Sequence, residues 1–147
     1  MALLNLFADP VDLTAALIDI ESPSHHERDI ADAIEAALRE LEGVEVIRRG
    51  NTVVARTHHG LPQRVVLAGH VDTVPLAGNT PHRLEDGVLH GCGSVDMKSG
   101  LACYLGAFAR LSTPHASAFD LTLIAYEGEE VSSEHNGLYH LERDRPE

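Results

Sequence analysis

Three short stretches of this 147-residue chain carry the side chains best suited to gripping a cation or moving a proton. The first is Gly69-His70-Val71-Asp72-Thr73-Val74-Pro75, at the end of the apolar run Arg64-Val65-Val66-Leu67-Ala68. Residues two apart on a strand point to the same face, so a strand here makes His70 and Asp72 neighbours. A neutral imidazole is a good zinc ligand, and a carboxylate beside it fixes its tautomer and raises its basicity. By itself His-x-Asp is common and carries little weight. The second stretch, Gly91-Cys92-Gly93-Ser94-Val95-Asp96-Met97-Lys98-Ser99-Gly100, has Asp96 as its one acid and leads into a helix. Its ending imitates a phosphate-binding P-loop, but that motif requires glycine where Met97 and Cys92 stand, which excludes it. A plain loop capping the next helix stays open for this stretch. The third is Tyr126-Glu127-Gly128-Glu129-Glu130-Val131. Carboxylates bunched at the end of a strand repel one another unless solvent or a cation relieves them. Alone, this reads as a solvated acidic loop; beside the other two stretches, a metal site is the better reading.

The elements that position these residues follow from local patterns. Asp9 as N-cap and Pro10 at the first helical position start a helix that carries Leu13, Leu17 and Ile20 and ends at Ser22-Pro23. Ser24 and Glu27 form a capping-box pattern that predicts a second helix with Ile30, Ile34, Leu38 and Leu41 on one face and Gly43 at its end. Residues 44–49 and 52–57 read as strands joined at Gly50-Asn51. The run 64–69 suits a strand covered on both faces. A small hairpin turns at Asp86-Gly87, residues 99–111 form an alanine- and leucine-rich helix, and residues 120–126 a second buried strand. Asn136-Gly137-Leu138 falls in a helix or turn after the glutamate pair. The pattern is α/β with one domain, and ligands in open α/β sheets gather beyond the carboxyl ends of the strands.

Composition narrows the function. Hydrophobic residues at 44% and charged residues at 23% describe an ordinary globular chain and exclude disorder. A net charge of -12 repels phosphate backbones, so nucleic acid is not a partner. There is no apolar run of membrane-spanning length, and the start at Met1 lacks a basic region and cleavage motif, so neither a membrane nor a secretory leader is expected. Cys92 and Cys103 read as free thiols in a reducing compartment, hence a cytoplasmic location. Among the ten histidines, His25-His26 read as solvated residues of a helix first turn and His58-His59-Gly60 as an exposed turn. His90 is a minor candidate for substrate contact, Cys92 is read as a packed thiol, and Lys98 as exposed or neutralising nearby acids.

Taken together, His70, Asp96 and the Glu129-Glu130 pair resemble the co-catalytic zinc aminoacylase, carboxypeptidase and desuccinylase family. The resemblance runs over essentially the whole chain. Val95-Asp96-Met97-Lys98-Ser99-Gly100 with glycines before it is most similar to the desuccinylases, although the position of Cys92 is often arginine there. The resemblance implies a zinc-dependent exopeptidase-like catalytic domain: an α/β fold with a mixed, largely parallel sheet flanked by helices. Residues 1–147 would be its N-terminal part, without the C-terminal part or the lid and dimerisation domain. It implies that His70 binds one zinc and Glu130 the other, with Asp96 bridging, Asp72 orienting His70 and Glu129 as general base. It also implies a cis peptide after Asp96.

The implied chemistry is hydrolysis of the amide of a small N-acyl amino acid at a two-zinc centre, cobalt being a possible substitute, in a homodimeric full-length protein. Such a centre takes five protein ligands, of which three are present. His135, His140, Glu142 and Asp144 are poor substitutes for the rest. The ending at Arg145-Pro146-Glu147 reads as an interruption, and the chain alone is expected to be inactive, to bind zinc weakly or not at all, and to leave sheet edges uncovered. Deacetylases and carboxypeptidases of the same family share all three motifs. Outside the enzymes, a short protein that binds a metal or partner without catalysis is the alternative, and the number of ions the chain holds is what discriminates the two.

Overall fold

The computed structural model describes residues 4–144, so the reading of the chain's last three residues lies outside them. Helix α1 spans Pro10–Ile18 and begins as the sequence predicts, with the Asp9 carboxylate accepting the Val11 N–H at 2.8 Å. Helix α2, Arg28–Arg39, buries Ile30, Ile34 and Leu38 completely along one face. Each such side chain contributes about 1.5–3 kcal/mol. Strands β1 (Glu45–Arg49) and β2 (Thr52–Arg56) form the expected hairpin through Gly50-Asn51. Strand β3 is Arg64–His70, and β4 (Arg83–Glu85) and β5 (Val88–His90) make a separate small hairpin. Its turn residues Asp86 and Gly87 have φ of 50° and 78°, the left-handed pair that tight hairpin turns require. Helix α3 (Lys98–Leu111), strand β6 (Asp120–Tyr126), a 3-10 turn (Ser133–His135) and helix α4 (Gly137–Asp144) complete the order.

The main sheet has the order β1-β2-β6-β3. It is mixed, as expected, but the balance is not largely parallel among the described residues. Only β3 and β6 run parallel, whereas β1-β2 and β2-β6 are antiparallel. A two-residue turn can join only antiparallel neighbours, and it is the β1-β2 hairpin that extends the sheet beyond β6. Helices α2 and α3 bury their apolar stripes against one face, in a single core with Val53, Ala55, Leu121, Leu123 and Ala125. Arg48 reaches from β1 to Asp32 and Glu35 of α2 at 3.1 and 3.0 Å.

Strand β3 departs from the expectation of cover on both faces. It is an edge strand in the described residues, and Val66 is 54% exposed on the face away from the helices. Apolar continuity in its sequence reflects a strand that could be covered twice, while the described residues cover it once.

The capping box is a second correction. Helix α2 starts at Arg28 with no side-chain cap. Glu27 is buried and accepts the His25 N–H at 3.0 Å, while the Ser24 hydroxyl is drawn to Asp72. His25 and His26 therefore precede the helix in a turn where His25 has φ 73°, exposed as expected but outside a helical first turn. No helix of the described residues is long and apolar enough to cross a membrane.

Candidate metal centre

Parallel pairing of β3 with β6 places His70 opposite Tyr126, so both strands deliver their carboxyl ends to the same edge of the sheet. The ladder continues one step beyond, with the Val71 N–H donating to the Tyr126 carbonyl at 2.8 Å. His70 and Asp72 emerge from one strand and the Glu127-to-Glu130 loop from the other. Asp96 arrives from the glycine-rich turn before α3, where the Asp96-Met97 peptide is cis.

One ligand atom from each of His70, Asp96 and Glu130 lies within 4.8 Å of the other two. Among the described residues this is the one group of three or more histidine, cysteine or acidic side chains so placed. His135, His140, Glu142 and Asp144 do not join it. His135 instead packs its ring edge-on against His25, with centroids 4.9 Å apart.

The imidazole of His70 is buried and oriented from both ends. Nδ1 is 2.9 Å from the Asp72 carbonyl oxygen and 3.4 Å from Asp72 Oδ1. A ring N–H donated there leaves Nε2 facing Asp96 Oδ1 at 3.0 Å. Burial alone would lower its pKa, but hydrogen bonds to Asp72 and Asp96 outweigh that and raise it to about 9.

Asp72 is the most densely bonded acid of the site. Its Oδ1 accepts the Glu129 N–H at 3.0 Å, and its Oδ2 accepts the Glu130 N–H at 3.0 Å and the Ser24 hydroxyl at 2.8 Å. Burial works against ionisation, yet His70, these two N–H groups and Ser24 hold the carboxyl down at about 2. A single carboxylate thus positions the histidine by its own backbone and the glutamate pair by theirs.

Glu130 shifts the other way. Burial raises its pKa, Asp96 adds to the rise, His70 opposes it, and Glu129 and Asp72 add further. Crowded acids of this kind are relieved by a bound cation. One imidazole nitrogen and two carboxylates also form a donor set that divalent zinc or cobalt accepts. The residues present therefore fit a metal. Glu129 is exposed beside this group and outside it. Gly128, just before the glutamate pair, has φ 71°, and a Cβ there would collide with the His135 carbonyl oxygen, so the turn that presents both glutamates demands glycine.

The model of peptidase family M20/M25/M40 matches residues 66–146. The chain belongs to that family. Among curated relatives of this M20 chain, succinyl-diaminopimelate desuccinylase of Corynebacterium glutamicum is 58% identical over 146 residues, 98% of this chain and 40% of that protein. Succinyl-diaminopimelate desuccinylase of Acidiphilium cryptum is 33% identical over 143 residues, 91% of this chain and 38% of that one. The chain thus spans about 40% of the length of these relatives. In fold, the M20 chain matches aminopeptidase PepT from Bacillus cereus with a TM-score of 0.72 at 22% identity, over 97% of this chain and 42% of that one. It matches the M20 metallo-carboxypeptidase Sso-CP2 from Sulfolobus solfataricus with a TM-score of 0.68 at 17% identity, over 83% and 31%.

Three site-supporting features escaped the sequence reading. Ser24 bonds a residue 48 positions away, so no local signal marks it. Lys98 is 1% exposed, where the sequence suggested an exposed or acid-neutralising residue. Its Nζ donates to the Ile20 carbonyl at 2.7 Å, and burial lowers its pKa to about 8 against the pull of Cys92, Asp19 and Glu21. Glu127 accepts the Asn51 N–H at 2.8 Å and ties the β1-β2 turn to the loop that carries Glu129 and Glu130. Cys92 is a buried thiol, as read, and His90 is exposed on β5 and outside the metal group.

Proposed function

We propose that this M20 chain carries the N-terminal share of the active site of a metal-dependent hydrolase that cleaves the amide of N-succinyl-diaminopimelate to succinate and diaminopimelate. The observation that carries it is the convergence of His70, Asp96 and Glu130 within 4.8 Å. The substrate assignment is supported by 58% identity to a desuccinylase along nearly the whole of this chain. In this reading the full-length protein is a cytoplasmic homodimer, and the chain of 147 residues, holding three ligands, is inactive by itself.

His70, through Nε2, and Glu130 would each hold a metal ion, with Asp96 between them as the ligand shared by both. The ions, zinc by this reading with cobalt as a working substitute, supply when bound Lewis-acid polarisation of the acyl carbonyl and a water acidic enough to ionise near neutral pH. Glu129, exposed at the rim, would take a proton from the attacking water and return it to the departing amine. Asp72 keeps the imidazole turned so that Nε2 points inward and holds the backbone of both glutamates in register.

The test is an assay of the full-length gene product with N-succinyl-diaminopimelate and with N-acetylornithine. Succinate release from the former is expected, and Glu129→Gln should lower kcat by about 10²- to 10⁴-fold with metal content unchanged. Activity on N-acetylornithine alone would overturn the substrate assignment. Two tightly held ions and amide hydrolysis in the isolated 147-residue chain would overturn its reading as a partial site.

A further inference from the structure

The three ligand-bearing segments are far apart in the sequence, and a fourth segment that supplies no ligand touches two of them and reaches the third through Asp72. Residues 20–24 leave α1 and run alongside the extension of β3, with Pro23 and Thr73 forming a parallel bridge. The Ser22 hydroxyl donates to the Val71 carbonyl at 2.7 Å, the Thr73 N–H donates to the Ser22 carbonyl at 2.9 Å, and the Ser24 N–H donates to the Thr73 carbonyl at 3.1 Å. Ser22, Asp72 and Thr73 are all buried. From the same segment the Ile20 carbonyl accepts the buried Lys98 ammonium, which belongs to the first turn of α3, directly after Asp96-Met97. At the other end the Ser24 hydroxyl donates to Asp72 Oδ2, the oxygen that also accepts the Glu130 N–H.

We infer that Ser24 is a positioning residue for the metal ligands and that residues 20–24 are the strap through which it acts. The inference rests on the metal reading of His70, Asp96 and Glu130. Without its hydroxyl, Asp72 Oδ2 keeps one donor, the Glu130 N–H, and the carboxylate that bonds Glu129 and Glu130 together is held less firmly. Side chains that orient ligands from outside the coordination sphere change metal affinity by about 10- to 100-fold when removed. Ser24 is half-buried and touches no reacting group. Its effect therefore passes through Asp72, and the two residues should act as one unit.

The experiment is an equilibrium titration of the metal-free full-length gene product with Co2+, read by visible absorption, with the thermal midpoint of each metal-free protein measured alongside. Ser24→Ala is expected to weaken Co2+ binding about 10-fold, and Ser24→Thr, which keeps a hydroxyl, to restore it to within about twofold. The double variant Ser24→Ala/Asp72→Asn should bind no more weakly than Asp72→Asn alone, because coupled residues are not additive. If Ser24→Ala does not fold, Ser24→Cys keeps the volume with a weaker donor and reads the same quantity. Co2+ affinity unchanged by Ser24→Ala, or by Ser24→Cys where the alanine variant does not fold, or losses that multiply in the double variant, would overturn the role of Ser24 while leaving the metal reading intact. A wild-type protein that takes up no Co2+ overturns both.

Discussion

Replacing Asp72 by asparagine isolates the interaction on which the site's order depends. The side chain is fully buried, accepts three hydrogen bonds and lies 3.4 Å from His70 Nδ1. Asparagine keeps the volume, removes the charge and turns one acceptor oxygen into an amide that faces a donor. Holding the carboxyl at about 2 rather than 3.8 stabilises the native state by about 2 kcal/mol. A buried donor set against a donor adds about 1–3 kcal/mol. Asp72→Asn is therefore expected to destabilise the metal-free protein by about 3–5 kcal/mol, the range for breaking a buried charged pair.

The loss has a signed pH dependence. Asp72, with its pKa depressed, contributes stability that is fully present above pH 3.8 and lost as the pH falls through about 2. His70, with its pKa raised, contributes stability that is fully present below pH 6.5 and lost as the pH rises through about 9. The gap between wild type and variant should be widest between about pH 4 and 6.5 and shrink on both sides. Urea unfolding of the metal-free full-length gene product at a series of pH values measures it. A gap under about 1 kcal/mol, or one that is flat across the series, refutes the assignment of Asp72 as the organiser of the site.

Metal uptake at neutral pH should release about one proton per site from His70, because its pKa is about 9 in the metal-free site and the ligand form is neutral. Calorimetry in buffers of different ionisation enthalpy reads this, and affinity should climb as the pH approaches 9. Val66→Lys, at an exposed position on the edge strand β3, should reduce self-association of the 147-residue chain in light scattering without lowering its unfolding midpoint. Asp9→Ala removes the N-cap acceptor of Val11 and should cost about 1 kcal/mol in urea unfolding.

Much of the architecture was legible before any coordinates. Strand β6 runs from Asp120 to Tyr126 and α1 opens at Asp9-Pro10, as their residues predict. The Asp86-Gly87 hairpin and the apolar face of α2 follow equally from short-range rules. These are elements whose energetics are settled within a few residues: caps, turns with positive φ, and apolar periodicity. The grouping was legible as well, since His70, Asp96 and Glu130 were singled out by their motifs and lie within 4.8 Å of one another.

What local rules could not supply is where polar groups go when their partners are distant. Ser24 and Glu27 have the spacing of a capping box, but a carboxylate 48 residues away outcompetes the helix for the serine hydroxyl. Lys98 has a side chain that alone prefers water, and its burial is partly offset by the Ile20 carbonyl and by the neighbouring carboxylates of Asp19 and Glu21. The count of parallel and antiparallel pairings, and the exposed face of β3, depend on which strands are neighbours. The amino-acid sequence by itself determined which groups can bind a cation and which segments are helix or strand. Only the tertiary structure decided that β3 and β6 end side by side and that Asp72 clamps both ligand loops, because those contacts are set by long-range packing and by competition for a limited number of buried donors.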